Sequence, residues 1–248
     1  MTFETCNESS LHRALKEEYA ARFGGTVEQV VDGKVCDIVA ADGTILEIQT
    51  TSLAKLAPKI AALLPRHRIR LVYPLVTLKY IELRDSGGTL ISRRKSPKKQ
   101  TIHSIFRELT GIYPWLTHEH FLLEALEVTV AEQRVRTLEP VQLPNKSRTF
   151  RRNWYKTGKC LLSRGDSRLF AGAADYAALL PQELPEEFSV RDLAQAGVGK
   201  NAPLMRWVLE RMGVIVLLGK RGRARYYRCA LRPILRENNN PAACGRVC

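Results

Sequence analysis

The sequence predicts an α/β chain in two parts. A mixed-sheet domain comes first, and a smaller module of helices closed by a β-hairpin follows. Two observations lead to this. Apolar residues recur at helical spacing at Leu11, Leu15, Tyr19 and Phe23, then give way to short β-type runs separated by Asp-Gly and Gly-Gly turns. Charge also divides the chain: residues 1–140 hold 19 Lys and Arg against 17 Asp and Glu, whereas 141–248 hold 20 against 8. The formal net charge of +14 therefore lies almost wholly in the second part, which predicts a phosphate-rich partner for it.

In chain order, residues 9–23 read as a helix, with Asn7 as its cap, Glu8 in its first turn and Gly24-Gly25 as its stop. A strand over 26–31 and a turn at Asp32-Gly33 follow. Residues 35–40 and 44–50 then form two strands around Ala41-Asp42-Gly43, a strong hairpin signal. Residues 52–64 form an amphipathic helix, kinked or started late by Pro58. The apolar run 69–74 fits a central strand parallel to the hairpin's second strand, and 78–84 and 89–92 add two more. A basic loop spans Arg93, Arg94, Lys95, Lys98 and Lys99. Residues 102–109 make a short helix, and 121–136 the last strand of the first domain. The domains expected are 1–140, a basic connector over 141–168, a module over 169–232 and a tail over 233–248.

The hairpin carries the candidate chemistry. Glu47 and Gln49 are two apart on one strand and share a face, and the hairpin folds Asp37 back towards them. Such an all-oxygen set suits Mg²⁺ or Mn²⁺. Asp, some ten residues, then Glu-x-Lys on a strand is the signature of the PD-(D/E)xK nucleases. Asp37, Glu47 and Gln49 resemble it, with Gln where Lys is usual. The Glu-x-Gln variant followed by Thr or Ser is similar to the nuclease-like CoiA competence proteins, and the opening NESSLHRALK resembles uncharacterised bacterial proteins of this type. The resemblance implies a restriction-endonuclease-like domain. Asp37, Glu47 and either the Gln49 side chain or the Ile48 carbonyl would hold Mg²⁺ or Mn²⁺. It also implies a further acid from the first helix, best matched by Glu8 with Glu17 and Glu18 as competitors. A replacement cation would come from Lys55 or Lys59.

In the second part, Ser189 caps one helix and Asn201 opens the next, whose stripe is Leu204, Trp207, Val208 and Met212; a hairpin with its tip at residues 219–222 follows. Over about 60 residues this resembles the winged helix-turn-helix superfamily. The resemblance implies that Lys200, Asn201, Arg206 and Arg211 face the major groove, while Lys220, Arg221, Arg223 and Arg225 of the wing meet phosphates or the minor groove. Arg151, Arg152, Trp154, Tyr155, Lys156 and Lys159 interleave cations with aromatics, which suits either nucleic acid or packing between domains.

No apolar run approaches the ~20 residues of a membrane span, and the polar start MTFETCNESS is no signal peptide. A cytoplasmic protein is expected, without a disulfide framework and without a zinc site, since its six cysteines make no Cys-x-x-Cys pair. The expected function is that of a metal-dependent DNA endonuclease or nuclease-like DNA-processing protein. The alternative is a non-catalytic DNA-binding regulator with a degenerate nuclease fold.

Overall fold

The computed structural model describes residues 10–142 and 151–231. Helix α1 (Ser10–Phe23) buries Leu11, Leu15 and Tyr19, the stripe its sequence spacing requires. Strands β1 (Thr26–Val31), β2 (Lys34–Val39) and β3 (Ile45–Ile48) form an antiparallel meander. The β2–β3 turn forms as its sequence predicts. Gly43 takes a φ of 81°, and Asp42 Oδ1 accepts the Thr44 N–H at 2.9 Å. A 3-10 turn over Leu53–Leu56 then leads into α2 (Ala57–Leu63), with Pro58 tolerated in its first turn. This crossover lays β4 (Ile69–Arg84) parallel to β3.

Strand β5 (Leu90–Lys95) returns along β4, α3 (Phe106–Leu109) follows, and β6 (Phe121–Gln142) runs parallel to β4. Strand β7 (Arg151–Phe170) closes the sheet antiparallel to β6. The seven-stranded sheet has the order β1-β2-β3-β4-β6-β7, with β5 also on β4. Its β3–β4–β6 centre is covered by α1 on one face and by α2 and α3 on the other.

Three expectations need correction. The runs 69–74 and 78–84 are one strand rather than two. Pro74 is tolerated because its side of β4 is the one that Val72 offers to β3, and the pairing with β3 has ended at Val72. Thr77 is then bulged out against β6. Arg93, Arg94 and Lys95 belong to β5 rather than to a loop, paired with Glu82, Ile81 and Tyr80. The stretch read as a connector is, from Arg151, the outer strand of the sheet. Its side chains are exposed over much of its length, so no apolar alternation marked it.

The second module comprises α4 (Ala173–Ala177), β8 (Phe188–Ser189), α5 (Val190–Leu193), α6 (Ala202–Arg211), β9 (Ile215–Arg221) and β10 (Ala224–Cys229). Ser189 caps α5, as expected, in a reciprocal box with Asp192. A small sheet of order β8-β10-β9 backs the helices. The module is not free of the first: one apolar core runs from Phe106 and Leu109 to Met205 and Leu209. Trp207 meets Tyr113 edge-on at 5.2 Å between ring centres.

Candidate functional site

The hairpin brings Asp37 and Glu47 together at the β2–β3 end where β3 stops. Asp37 Oδ2 accepts the Ile48 N–H at 2.8 Å, and Glu47 Oε1 accepts the Asp37 N–H at 3.2 Å. Each carboxylate thus fixes the other's strand. Two further side chains complete this corner. His12 Nε2 from α1 lies 3.2 Å from Asp37 Oδ2, and Lys59 Nζ from α2 lies 2.5 Å from Glu47 Oε1. Glu47 is only 4% exposed.

The electrostatics separate the two acids. Burial opposes charge on Asp37, but the His12 contact and the Ile48 N–H outweigh it and hold its carboxyl below the usual range. Glu47 is pushed up by burial and then by the Asp37 charge, and Lys59 only partly offsets this. Two carboxylates that repel across one corner, with a single ammonium between them, form a place where positive charge is in demand.

Of the expected residues, Asp37 and Glu47 meet as the hairpin requires. Gln49 turns aside, its Nε2 donating to the Ser52 carbonyl at 3.1 Å. Of the two lysines, Lys59 contacts Glu47, while Lys55 is solvent-exposed. Glu8 lies outside the described residues. Its competitors are elsewhere: Glu17 is exposed and Glu18 pairs with Arg164. His12 is the residue that sequence reasoning missed. It follows the first residue of the buried stripe, but nothing local to the helix points it to Asp37.

Among the described residues no group of three or more His, Cys, Asp and Glu side chains is gathered to hold a metal. The donor set still fits a hard divalent ion of the Mg²⁺ type, which takes one or two carboxylates and completes its shell with water and phosphate oxygens. Asp37, Glu47 and the main-chain carbonyl of Ile48 are the residues that would hold it.

The basic residues fall into separate groups. Arg93, Arg94 and Lys95 are exposed along β5, Lys98 and Lys99 just beyond it, and Arg151 and Arg152 at the start of β7. Lys200 and Asn201 share a cavity with Lys99, Gln100, Arg107 and Glu108, between the modules. Helix α6 packs one face against the first module. Leu204 and Trp207 pack into the shared core, and Arg211 lies 3.9 Å over the Trp207 ring. An apolar stripe on both sides of a helix demands cover on both sides, and the first module supplies one of them.

The hairpin of β9 and β10 is the accessible part. Lys220, Arg221, Arg223 and Arg225 are exposed, with Arg221 held by Glu187. Arg191, Arg206, Arg223 and Arg225 line a cavity of about 340 Å³, and Arg206 Nε is buried there with no hydrogen-bond partner.

No helix among the described residues is long and apolar enough to cross a membrane. Cys36, Cys160 and Cys229 carry free thiols. A family described as a domain of unknown function, DUF8091, matches residues 9–171, which ends where β7 ends. A protein of Treponema pallidum (strain Nichols), described as uncharacterized, is 35% identical over 235 residues, covering 92% of this chain and 88% of its own length. That similarity therefore reaches into the second module. No solved structure matches.

Proposed function

The chain belongs to the DUF8091 family, and we propose that its Asp37–Glu47–Lys59 corner is the site of a metal-dependent deoxyribonuclease or nuclease-like DNA-processing protein. One observation carries the reading. An aspartate from one strand, a glutamate from the next and a lysine ammonium meet at the end of β3, although the lysine comes from α2 rather than from position 49. This set resembles that of the PD-(D/E)xK nucleases, with the lysine supplied from a helix. A Mg²⁺ or Mn²⁺ ion held there would neutralise phosphate charge and lower the pKa of a bound water.

The chain's own groups have separable tasks. Lys59 keeps positive charge beside Glu47, where negative charge grows as a phosphodiester is attacked. His12 and the Ile48 N–H fix the Asp37 carboxylate in one orientation. The second module, read as a winged helix-turn-helix, contributes DNA binding through the wing arginines and the cavity around Arg206. Helix α6 serves as the dock to the first module.

The test is incubation of the purified chain with linear, circular and single-stranded DNA in Mg²⁺, Mn²⁺ or EDTA. Cutting that needs the metal is the expected result. The turned-aside Gln49 amide favours a second reading, a DNA-binding regulator with a degenerate nuclease fold. Salt-sensitive binding without cutting in any metal selects it.

A further inference from the structure

The long strands β4, β6 and β7 run on past α1 as an arm, and one face of that arm gathers lysines. Glu132 on β6 is its centre. Arg134 donates to Glu132 Oε1 through Nε at 2.9 Å and Nη2 at 2.5 Å, a two-point pair that matches the carboxylate's charge. Arg134 is further fixed by the Trp154 ring, 3.7 Å beneath it. Three lysines then surround an acid that is already neutralised. Lys79 Nζ is 3.1 Å and Lys156 Nζ 3.8 Å from Glu132 Oε2, and Lys159 stands opposite Glu132 in the β6–β7 register.

The backbone is shaped to bring them together. Lys156 and Lys159 are three apart and would point to opposite faces of a regular strand. Between Gln133 and Arg134 the pairing slips by one residue: Gln133 faces Gly158 and Arg134 faces Lys156, so Thr157 is the extra residue of a bulge. The bulge turns both lysines to the Glu132 face, the kind of re-aiming for which bulges recur next to functional sites. The charged groups acting on Lys159 are Lys156, Lys79 and Glu132. Burial, then the two neighbouring lysines, push its ammonium below the usual lysine range. Lys159 is thus a crowded ammonium beside an acid that Arg134 and Lys79 already pair, a place where an added anion is favoured.

The cluster also has a direction. Ser10 Oγ, at the start of α1, donates to the Lys159 carbonyl at 2.7 Å. Two residues on, about 3 Å along the helix axis, His12 faces Asp37. The lysines and the acidic corner thus flank the first turn of α1.

We infer that Lys79, Lys156 and Lys159 form a seat for the phosphate backbone of a nucleic acid, which leads the strand across the start of α1 to the Asp37–Glu47 corner. This rests on the reading of the corner for the choice of polyanion. The seat itself rests on the bulge and the charge count.

The test measures binding apart from cutting. Fluorescently labelled duplex DNA is titrated in EDTA across a range of KCl with the full chain, with Lys156→Gln/Lys159→Gln, and with Arg66→Gln, an exposed cation just past α2 that pairs with Asp32. The double variant is expected to bind about tenfold or more weakly near 0.1 M salt, and to flatten the log–log salt slope by about 1.8, at about 0.9 per phosphate contact. Arg66→Gln is expected to match the parent. Lys159→Met, with the crowded charge removed, is expected to melt at or above the parent's Tm yet bind more weakly. Unchanged affinity and slope in the double variant overturn the seat, even if Mg²⁺-dependent cutting is found. Weaker, flatter binding upholds it, even if no metal supports cutting and the nuclease reading falls.

Discussion

At the β2–β3 corner two carboxylates share one lysine, whereas on the β6–β7 arm one carboxylate is shared by an arginine and surrounded by three lysines. Both gather carboxylates and lysines, with His12 added at the corner and Arg134 on the arm, and the balance of acids to cations is opposite. At the corner, burial and the Asp37 charge push Glu47 up, so the site gains from added positive charge. On the arm, burial works against the Glu132 charge, but hydrogen bonds from Arg134 and Lys79 bring it down to about 2. There it is a lysine that is electrostatically crowded. Perturbed groups of opposite sign thus stand on either side of one helix turn, and such groups cluster at functional sites. On the proposed reading, the chain separates metal-site chemistry from polyanion binding. At the corner Glu47 is buried and both acids are fixed by backbone N–H groups, an arrangement suited to chemistry. On the arm Lys156 is 43% exposed, within reach of a polyanion at the surface.

Substitutions that remove one balance and leave the other sharpen this contrast. The largest expected effect is at Lys59. Lys59→Ala is expected to lower metal-dependent cleavage by about a hundredfold, the scale of losing one preorganised charge partner, with little change in DNA affinity. Lys55→Ala is expected to leave both unchanged, and a single-turnover cleavage series with parallel binding curves checks the pair. An equal loss at Lys55 would break the assignment of the migrated lysine.

Next comes the joint between the modules. Trp207→Ala is expected to destabilise the chain by about 3 kcal/mol, at the low end for a large aromatic because Trp207 is only half-buried. Urea unfolding measures it. A negligible loss would mean that α6 is not held on Tyr113.

The smallest effect is on the arm. Glu132 is held from its ordinary value near 4.5 down to about 2. Its folded value is the depressed one, so its contribution to stability is present above about pH 4.5 and fades as the pH falls towards 2. The parent is therefore expected to lose more Tm than Glu132→Gln between about pH 5 and about pH 3. Parallel curves for the two would show that the Glu132 pairs contribute nothing to folding.

The corner was partly legible in the sequence because its geometry is local. An Asp-Gly turn between alternating strands fixes the register that sets Asp37 beside Glu47 and Ile48. Lys59 was one of two choices, since spacing places Lys55 and Lys59 one turn apart without saying which reaches the sheet. His12 was not legible. Its contact crosses 25 residues, and only the docking angle of α1 turns it to Asp37. The outer strand was hidden for a different reason. With much of its length exposed, β7 carries Arg, Lys and Ser where a half-buried strand would alternate, so its composition read as a connector. The helices of the second module were legible from caps and stripes. Their docking was not, because the residues Leu204, Trp207 and Arg211 that face the first module could as well have faced a partner.

Single-turnover cleavage of labelled DNA, with parent and Asp37→Ala protein each saturating the DNA in Mg²⁺, tests the central claim most directly. The variant is expected to bind the DNA as the parent does and to cut at the metal-free background rate. Equal cutting by the variant would contradict it and place the chemistry elsewhere in the chain.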